Sequence, residues 1–529
     1  MPKTAAPLAW AAFPLAFLLV VLVAPAARLV AEGWPADGMA WTVVWMPWQD
    51  DYLRWRLVWS FLQALGTCAA ALVLGVPLAW VLARYEFAGR SLVLRALMLP
   101  FVVPTLVAAL GVLALMGPHG AVVQLGGPDL QGTAWLLMYG NLFFNLCLVV
   151  RAGSDALEQV SASRVAAART LGATPWRVFR RVEWPAIAPW MMSALCLVFL
   201  YCFSGFGLAL VLGGQRYATV EVEIYTLVAH ELQLEQASVL ALWMLVLTAV
   251  VALVYATIER RLAAPARADL LPRRRPRGLW QRLFVVGALF VFAVICVLPI
   301  VVIAWKALWA SGLLPGTEST AWRVLLEEDT LLALWNTVRF SASAVLLATV
   351  LGLAHALAAR HSLWLRTLAF LPFLMSPVMV AFGLLLLYPS WSGNVWMLVA
   401  TYALLAYPFV AKAVAAALDS MPVQYLHAAR SLGASPWRAF WRVTFPLLLP
   451  ALRRGMAFAV ATALGEFAAT LFLSRPEWAT LTTLIYQRLG RPGAANLDSA
   501  LVLASLLMLL TLLAFAFIEH ADWREPHHA

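Results

Sequence analysis

Two groups of residues in this 529-residue chain could do chemistry, and neither would make or break covalent bonds. The first centres on Glu466, an ionisable group inside the apolar run Gly455–Leu473, where a charge is costly and usually functional. A carboxylate there could help a cationic solute along a pathway, or hold a neighbouring helix by a structural hydrogen bond. Phe467 follows it, and Phe206 occupies the matching place beside Gly205 in an earlier copy of the same pattern. The two rings could form an aromatic constriction or could be core packing. The second group is a surface. Ala167-Ala168-Arg169-Thr170-Leu171-Gly172-Ala173-Thr174-Pro175-Trp176-Arg177 recurs as Ala428-Ala429-Arg430-Ser431-Leu432-Gly433-Ala434-Ser435-Pro436-Trp437-Arg438. Small residues, a glycine and a proline supply no nucleophile; they supply a shape that another protein can fit.

Other chemistry is poorly served. No GxxxxGK[ST] run occurs, so nucleotide phosphates have no such loop to rest in. No carboxylate pair, histidine cluster or activated nucleophile sits where it could support catalysis, so no catalytic residue, metal ligand or cofactor is expected. The five cysteines (Cys68, Cys147, Cys196, Cys202, Cys296) fall in apolar stretches without ligand-like spacing and read as small buried hydrophobes.

The elements that must carry these groups are set by composition. The chain is 63% hydrophobic and 12% charged, whereas soluble domains carry about 25% charged residues. Twelve stretches, six in each half, are long enough for a bilayer core, which needs about 20 apolar residues. The expectation is an all-α polytopic membrane protein with about twelve transmembrane helices in two parallel six-helix repeats. The first stretch is read as a retained helix, because Ala24-Pro25-Ala26 carries a proline where signal cleavage is unfavourable. Net charge is +11, but the arginines gather in alternate loops: six in Arg151–Pro185 and eight in Glu259–Arg282. The intervening loops carry Glu221, Glu223, Glu231 and Glu235, or Glu327, Glu328 and Asp329. That alternation is the positive-inside rule; it puts both termini and the arginine-rich loops in the cytoplasm and argues against a nucleic-acid partner.

The repeat has a constant offset, 433 − 172 = 261 residues, which also relates Pro185 to Pro446 and Tyr225 to Tyr486. It defines a first half at 1–262, a basic linker at 263–281 suited to anionic headgroups, and a second half at 282–529. Six spans per half keep the halves in one orientation, with a pathway expected between them. Within the repeated loop, Val165–Leu171 has helix formers, and Gly172 (Gly433 in the second copy) stands where a left-handed C-cap glycine would. Thr174-Pro175 reads as N-cap and first residue of a second helix, expected to stop at Glu183 before Pro185. A duplicated helical surface on one side suits a two-fold symmetric partner.

These segments resemble the cytoplasmic EAA loops of ATP-binding-cassette importer permeases. The family pattern falls on Ala167, Ala168, Gly172, Val182 and Pro185, and again on Ala428, Ala429, Gly433, Val443 and Pro446. Its leading glutamate is replaced by Ala166 in one copy and His427 in the other. The first half is most similar to the thiamine permease branch, through Leu130-Gln131-Gly132, Phe143-Phe144-Asn145-Leu146, Val182-Glu183-Trp184-Pro185 and the stretch from Leu212-Gly213-Gly214 to Ile224-Tyr225. Glu466-Phe467 and Thr480–Gln487 are shared with the ferric iron branch. The resemblance implies an inner-membrane permease working by alternating access, with two copies of a separate ATPase subunit beneath the loops and a periplasmic binding protein feeding the acidic outer loops. Thiamine or its phosphates would be the solute, with ferric iron as the alternative; an ion-coupled secondary transporter is the rival from another mechanism class. Asn145 and His355, in apolar stretches, are expected to hydrogen-bond between helices.

Overall fold

The computed structural model describes residues 6–34, 40–261, 271–312, 320–360, 362–391, 393–473 and 475–520. The first part of the linker, 263–270, lies outside them. In hydrocarbon the backbone must satisfy its own polar groups, which leaves a Leu/Ala/Val-rich chain the helix. Six spans belong to the first half: Trp10–Gly33, Asp51–Arg84, Thr105–Gln124, Ala134–Glu158, Pro175–Phe203 and Leu234–Ile258. The second half has Leu279–Ala310, Glu328–Ala359, Val395–Ser420, Pro436–Leu464 and Ala494–Ile518, with the pair Trp364–Phe373 and Pro377–Leu387, bent by 94°, standing third. Among the described residues this makes eleven continuous candidates and one broken span.

The chain packs as two compact units, and they cut it differently from the sequence repeat. One unit is Met1–Pro35, Val102–Thr105 and Ala310–Ala529; the other is Ala36–Phe101 and Leu106–Trp309. The first span of each repeat therefore packs within the unit built from the other repeat. Glycines in the third spans allow this. A Cβ on Gly111 would lie 2.9 Å from the carbonyl oxygen of Pro299, and one on Gly383 would lie 2.9 Å from that of Pro25.

Those two prolines explain the tyrosines beside them. In each first span a π turn, Leu19–Val23 or Ala293–Val297, ends two residues before the proline. Ala24 donates to the Leu19 carbonyl, and Leu298 to that of Ala293. The next donor in that wide turn would be the proline, which has none. The carbonyls it strands, Val20 and Val294, instead accept from the hydroxyls of Tyr388 at 3.3 Å and Tyr139 at 2.6 Å.

At the end of each fifth span remote from its arginine-rich loop, the chain turns back through two short helices, Gly207–Leu212 with Val220–Thr226 and Ala468–Leu473 with Leu481–Leu489. The long second span of each half holds this return. Ser60 Oγ accepts from Val220 N at 2.8 Å, and Thr337 Oγ1 from Leu481 N at 2.9 Å. Trp59 Nε1 donates to the Tyr217 carbonyl, and Asn336 Nδ2 to those of Glu477 and Ala479. Glu221 and Glu223 are buried in this return rather than displayed on an outer loop, which corrects the reading from the sequence. Glu223 accepts from Arg56 Nε at 3.0 Å and from the Tyr52 hydroxyl at 2.9 Å, so its charge is spent on packing the return against the second span. Glu231 and Glu235 stay exposed.

Tyr139→Phe leaves the Val294 carbonyl unpaired and is expected to cost about 1–3 kcal/mol. Gly111→Val forces the exchanged span outward at about 1–3 kcal/mol. Both should lower the thermal midpoint in detergent; an unchanged midpoint for either would show that the exchanged span is not held there.

Candidate functional site

The two copies of the repeated loop, around Gly172 and Gly433, have the same geometry. Helices Ala162–Thr170 and Val423–Ser431 end on glycines in the left-handed region, Gly172 at φ 77° and Gly433 at φ 79°. Gly172 N donates to the Arg169 carbonyl at 2.9 Å and Ala173 N to that of Ala168 at 3.0 Å. Gly433 N and Ala434 N repeat this to Arg430 and Ala429, at 3.0 Å each. This is a Schellman closure, and it accounts for the glycine at fixed distance from the second alanine. Thr174 and Ser435 then cap the next helix, each accepting from the backbone three residues on at 3.4 Å.

Pro185 and Pro446 do not end that helix, contrary to the expectation that it stops at Glu183. Pro175–Val178 and Pro436–Ala439 run through π turns, Phe179–Glu183 and Phe440–Thr444, straight into Trp184–Phe203 and Phe445–Leu464. The wider turn moves the preceding carbonyls away from the proline ring, so the loop is joined rigidly to its membrane span.

The small residues of the motif make a groove. In the second loop Ala428, Ala429, Gly433 and Ala434 face Arg438, Arg442, Val443 and Pro446 across a concavity of about 640 Å³. Ala167, Gly172 and Pro185 are exposed at the matching places of the first loop, and Ala168 is half-buried. Sequence reasoning missed the projecting apolar residues: Leu171 and Leu432 are 87% and 88% exposed, and Trp176 and Trp437 also stand in solvent. The shared offset held the signal, since a leucine and a tryptophan kept in register without burial need another reason to be there.

The first loop is also tied to its neighbours by charge. Glu183 is buried at the base of the loop, where it pairs with Arg84 at 2.8 Å and accepts from Trp80 Nε1 at 3.0 Å. Arg84 at the same time accepts from Arg274 N through its carbonyl at 2.9 Å. Arg273 reaches Glu158 at 2.8 Å, so the described part of the linker is pinned to the first half and is not wholly turned to lipid headgroups.

Glu466 lies at the break between Phe445–Leu464 and Ala468–Leu473, and its Oε1 accepts from Ala469 N at 2.9 Å. It is a cap. Its own carbonyl accepts from Thr482 and Thr470, and the Tyr402 hydroxyl bonds to Thr470. Phe467 and Phe206 are buried within their own units, each against a tyrosine at the same offset: Phe206 on Tyr225 at 5.4 Å, Phe467 on Tyr486 at 5.3 Å. Asn145 bonds to Asn141 in its own helix and to Cys202 in the fifth span, and His355 joins Tyr407 to the Leu365 carbonyl. Among the described residues no group of three or more His, Cys, Asp or Glu could hold a metal ion.

Residues 71–264 and 344–524 each match the family described as binding-protein-dependent transport system inner membrane component. The chain is 28% identical to the thiamine transport system permease protein of Haemophilus influenzae, over 90% of this chain and 90% of that protein. It is 28% identical to the Escherichia coli protein of the same description over 96% and 95%, and 29% identical to that of Brucella abortus over 89% and 88%.

Gly433→Val places a β-branched residue in the left-handed region at a cost of about 1–2 kcal/mol, while asparagine is tolerated there. Limited trypsin digestion should therefore cut severalfold faster at Arg430 and Arg438 in the valine variant and at near-parental rate in Gly433→Asn. Glu466→Gln keeps an oxygen for Ala469 N and should preserve both melting and transport, whereas Glu466→Leu loses a cap worth about 1 kcal/mol. A transport loss in the glutamine variant with unchanged melting would move Glu466 from cap to pathway.

Proposed function

The chain belongs to the family of binding-protein-dependent transport system inner membrane components, and from that premise we propose that it is the fused permease of an importer for thiamine or thiamine phosphates, driven by an ATPase on separate subunits. It is a multi-pass protein of the inner membrane. The observation that carries the reading is the pair of exposed loops, each closed by a left-handed glycine and each running through a π turn into a membrane span. A rigid junction of this kind lets a push on the loop tilt the whole fifth span, where a flexible loop would absorb it.

Two copies of one ATPase subunit fit a surface presented twice. The alternation of arginines along the chain supports cytoplasmic loops and termini, so the return helices face the periplasm, where a binding protein delivers solute. Closure of the ATPase pair draws the loops together, and the halves open to one side or the other of the membrane. Thiamine as the solute is supported by full-length likeness to thiamine permeases of three genera. Glu466, Phe206 and Phe467 act through the cap and the two aromatic pairs, each within its own unit, rather than by binding solute.

The test is ATPase activity of the chain with its ATPase in nanodiscs. A thiamine-loaded binding protein is expected to stimulate hydrolysis severalfold, and transport should survive a proton ionophore but not ATP depletion. Stimulation only by a ferric-iron-loaded binding protein would change the substrate, and ionophore-sensitive transport without ATP would replace the mechanism by ion coupling.

A further inference from the structure

The two loops share a backbone but differ in chemistry at positions where the repeat is broken. Taking them as ATPase docking surfaces, which rests on the function proposed above, we propose that the first loop holds its ATPase subunit mainly by charge and the second mainly by aromatic burial. One symmetric ATPase pair would then meet two sockets of different salt dependence.

The shared features say what the partner must offer. Arg169, Arg177 and Arg181 recur as Arg430, Arg438 and Arg442, all exposed, and none is ion-paired with a carboxylate among the described residues. Between them stand the exposed Leu171 or Leu432 and Trp176 or Trp437. A complementary surface has an apolar recess for the leucine and carboxylates around it.

The differences say how each contact is made. At the 261-residue offset Arg164 is replaced by Tyr425, and Arg180 by Trp441. Arg164 and Tyr425 each stand third in the helix before the glycine, and Arg180 and Trp441 each stand second in the π turn. All four are exposed. The first loop thus carries five arginines, Arg164, Arg169, Arg177, Arg180 and Arg181, and the second carries three. Glu183 does not offset the first set, because it is buried against Arg84. In the second loop Trp441 is held by neighbouring rings, 5.6 Å from Trp437, 5.4 Å from Phe440 and 4.9 Å from Phe445, and Tyr425 lines the groove. A rigid aromatic cluster beside a groove is the kind of surface that dominates binding by desolvation.

Salt separates the two modes. Charge pairs at an exposed rim weaken as the screening length falls from about 10 Å at 0.1 M to about 3 Å at 1 M salt, whereas buried aromatic contacts do not.

The experiment uses the full chain with its ATPase in nanodiscs, carrying one environment-sensitive fluorophore on an introduced cysteine at Ser163 or at Gln424. These are exposed, matched positions, and the native cysteines lie within membrane spans. On KCl titration the docking signal at 163 is expected to vanish at about threefold lower salt than the signal at 424. Coincident titrations would overturn the proposal. The double variant Arg164→Tyr with Arg180→Trp should bring the two midpoints together; a gap that persists with unchanged melting would also overturn it. Absence of any ATPase-dependent signal at either position in low salt would instead refute these loops as docking surfaces, which is the failure of the underlying reading.

Discussion

A carbonyl without a donor is expensive in hydrocarbon, and a proline inside a span strands one each time it occurs after a full turn of helix. Pro25, Pro185, Pro299 and Pro446 all follow a π turn by two residues. In the first spans a tyrosine hydroxyl on a neighbouring helix supplies the missing bond. In the loops the equivalent carbonyls belong to Arg180 and Trp441, which are exposed at the surface. The same backbone device therefore has two outcomes. Inside the membrane it demands a specific partner and so fixes where the first span packs; outside it needs none and yields a bend that remains helical.

The broken helices on the far side of each unit obey the same constraint by other means. Ser60 and Thr337 satisfy the first amides of the returning helices, and Trp59, Arg56 and Asn336 satisfy the carbonyls of the turns before them. Glu466 caps the short helix after the fifth span of the second half, where Gly205 stands in the first. A charge that looks costly in isolation is, in this setting, a hydrogen-bond acceptor at a place where the helix ladder is interrupted.

The proposed coupling depends on how rigid the loops are. A loop ending in a Schellman closure and continuing through a π turn would transmit displacement to the span behind it. The first loop is stiffened further by Glu183, Arg84 and the linker strand at Arg274. The second has no such charge, since Thr444 stands where Glu183 would, and it relies on packed rings instead. Two copies of one design have diverged in what holds them while keeping the shape they present.

The sequence by itself determined the class, the number of spans, the two repeats and the loops. Apolar length, the arginine alternation and a constant offset are local properties that survive without knowledge of packing. The left-handed glycines and the caps at Thr174 and Ser435 were legible for the same reason, since each is set by a few consecutive residues. What the prolines do was not legible: a proline reads as a stop, and only the geometry of the preceding turn decides whether the helix continues. The exchange of first spans, the burial of Glu221 and Glu223, and the capping by Glu466 were decided by tertiary structure. Each depends on groups far away in the chain, as Tyr139 is 155 residues from Val294 and Arg56 is 167 from Glu223. Which distant donor meets a stranded acceptor is a property of the packed helices, and no local pattern encodes it.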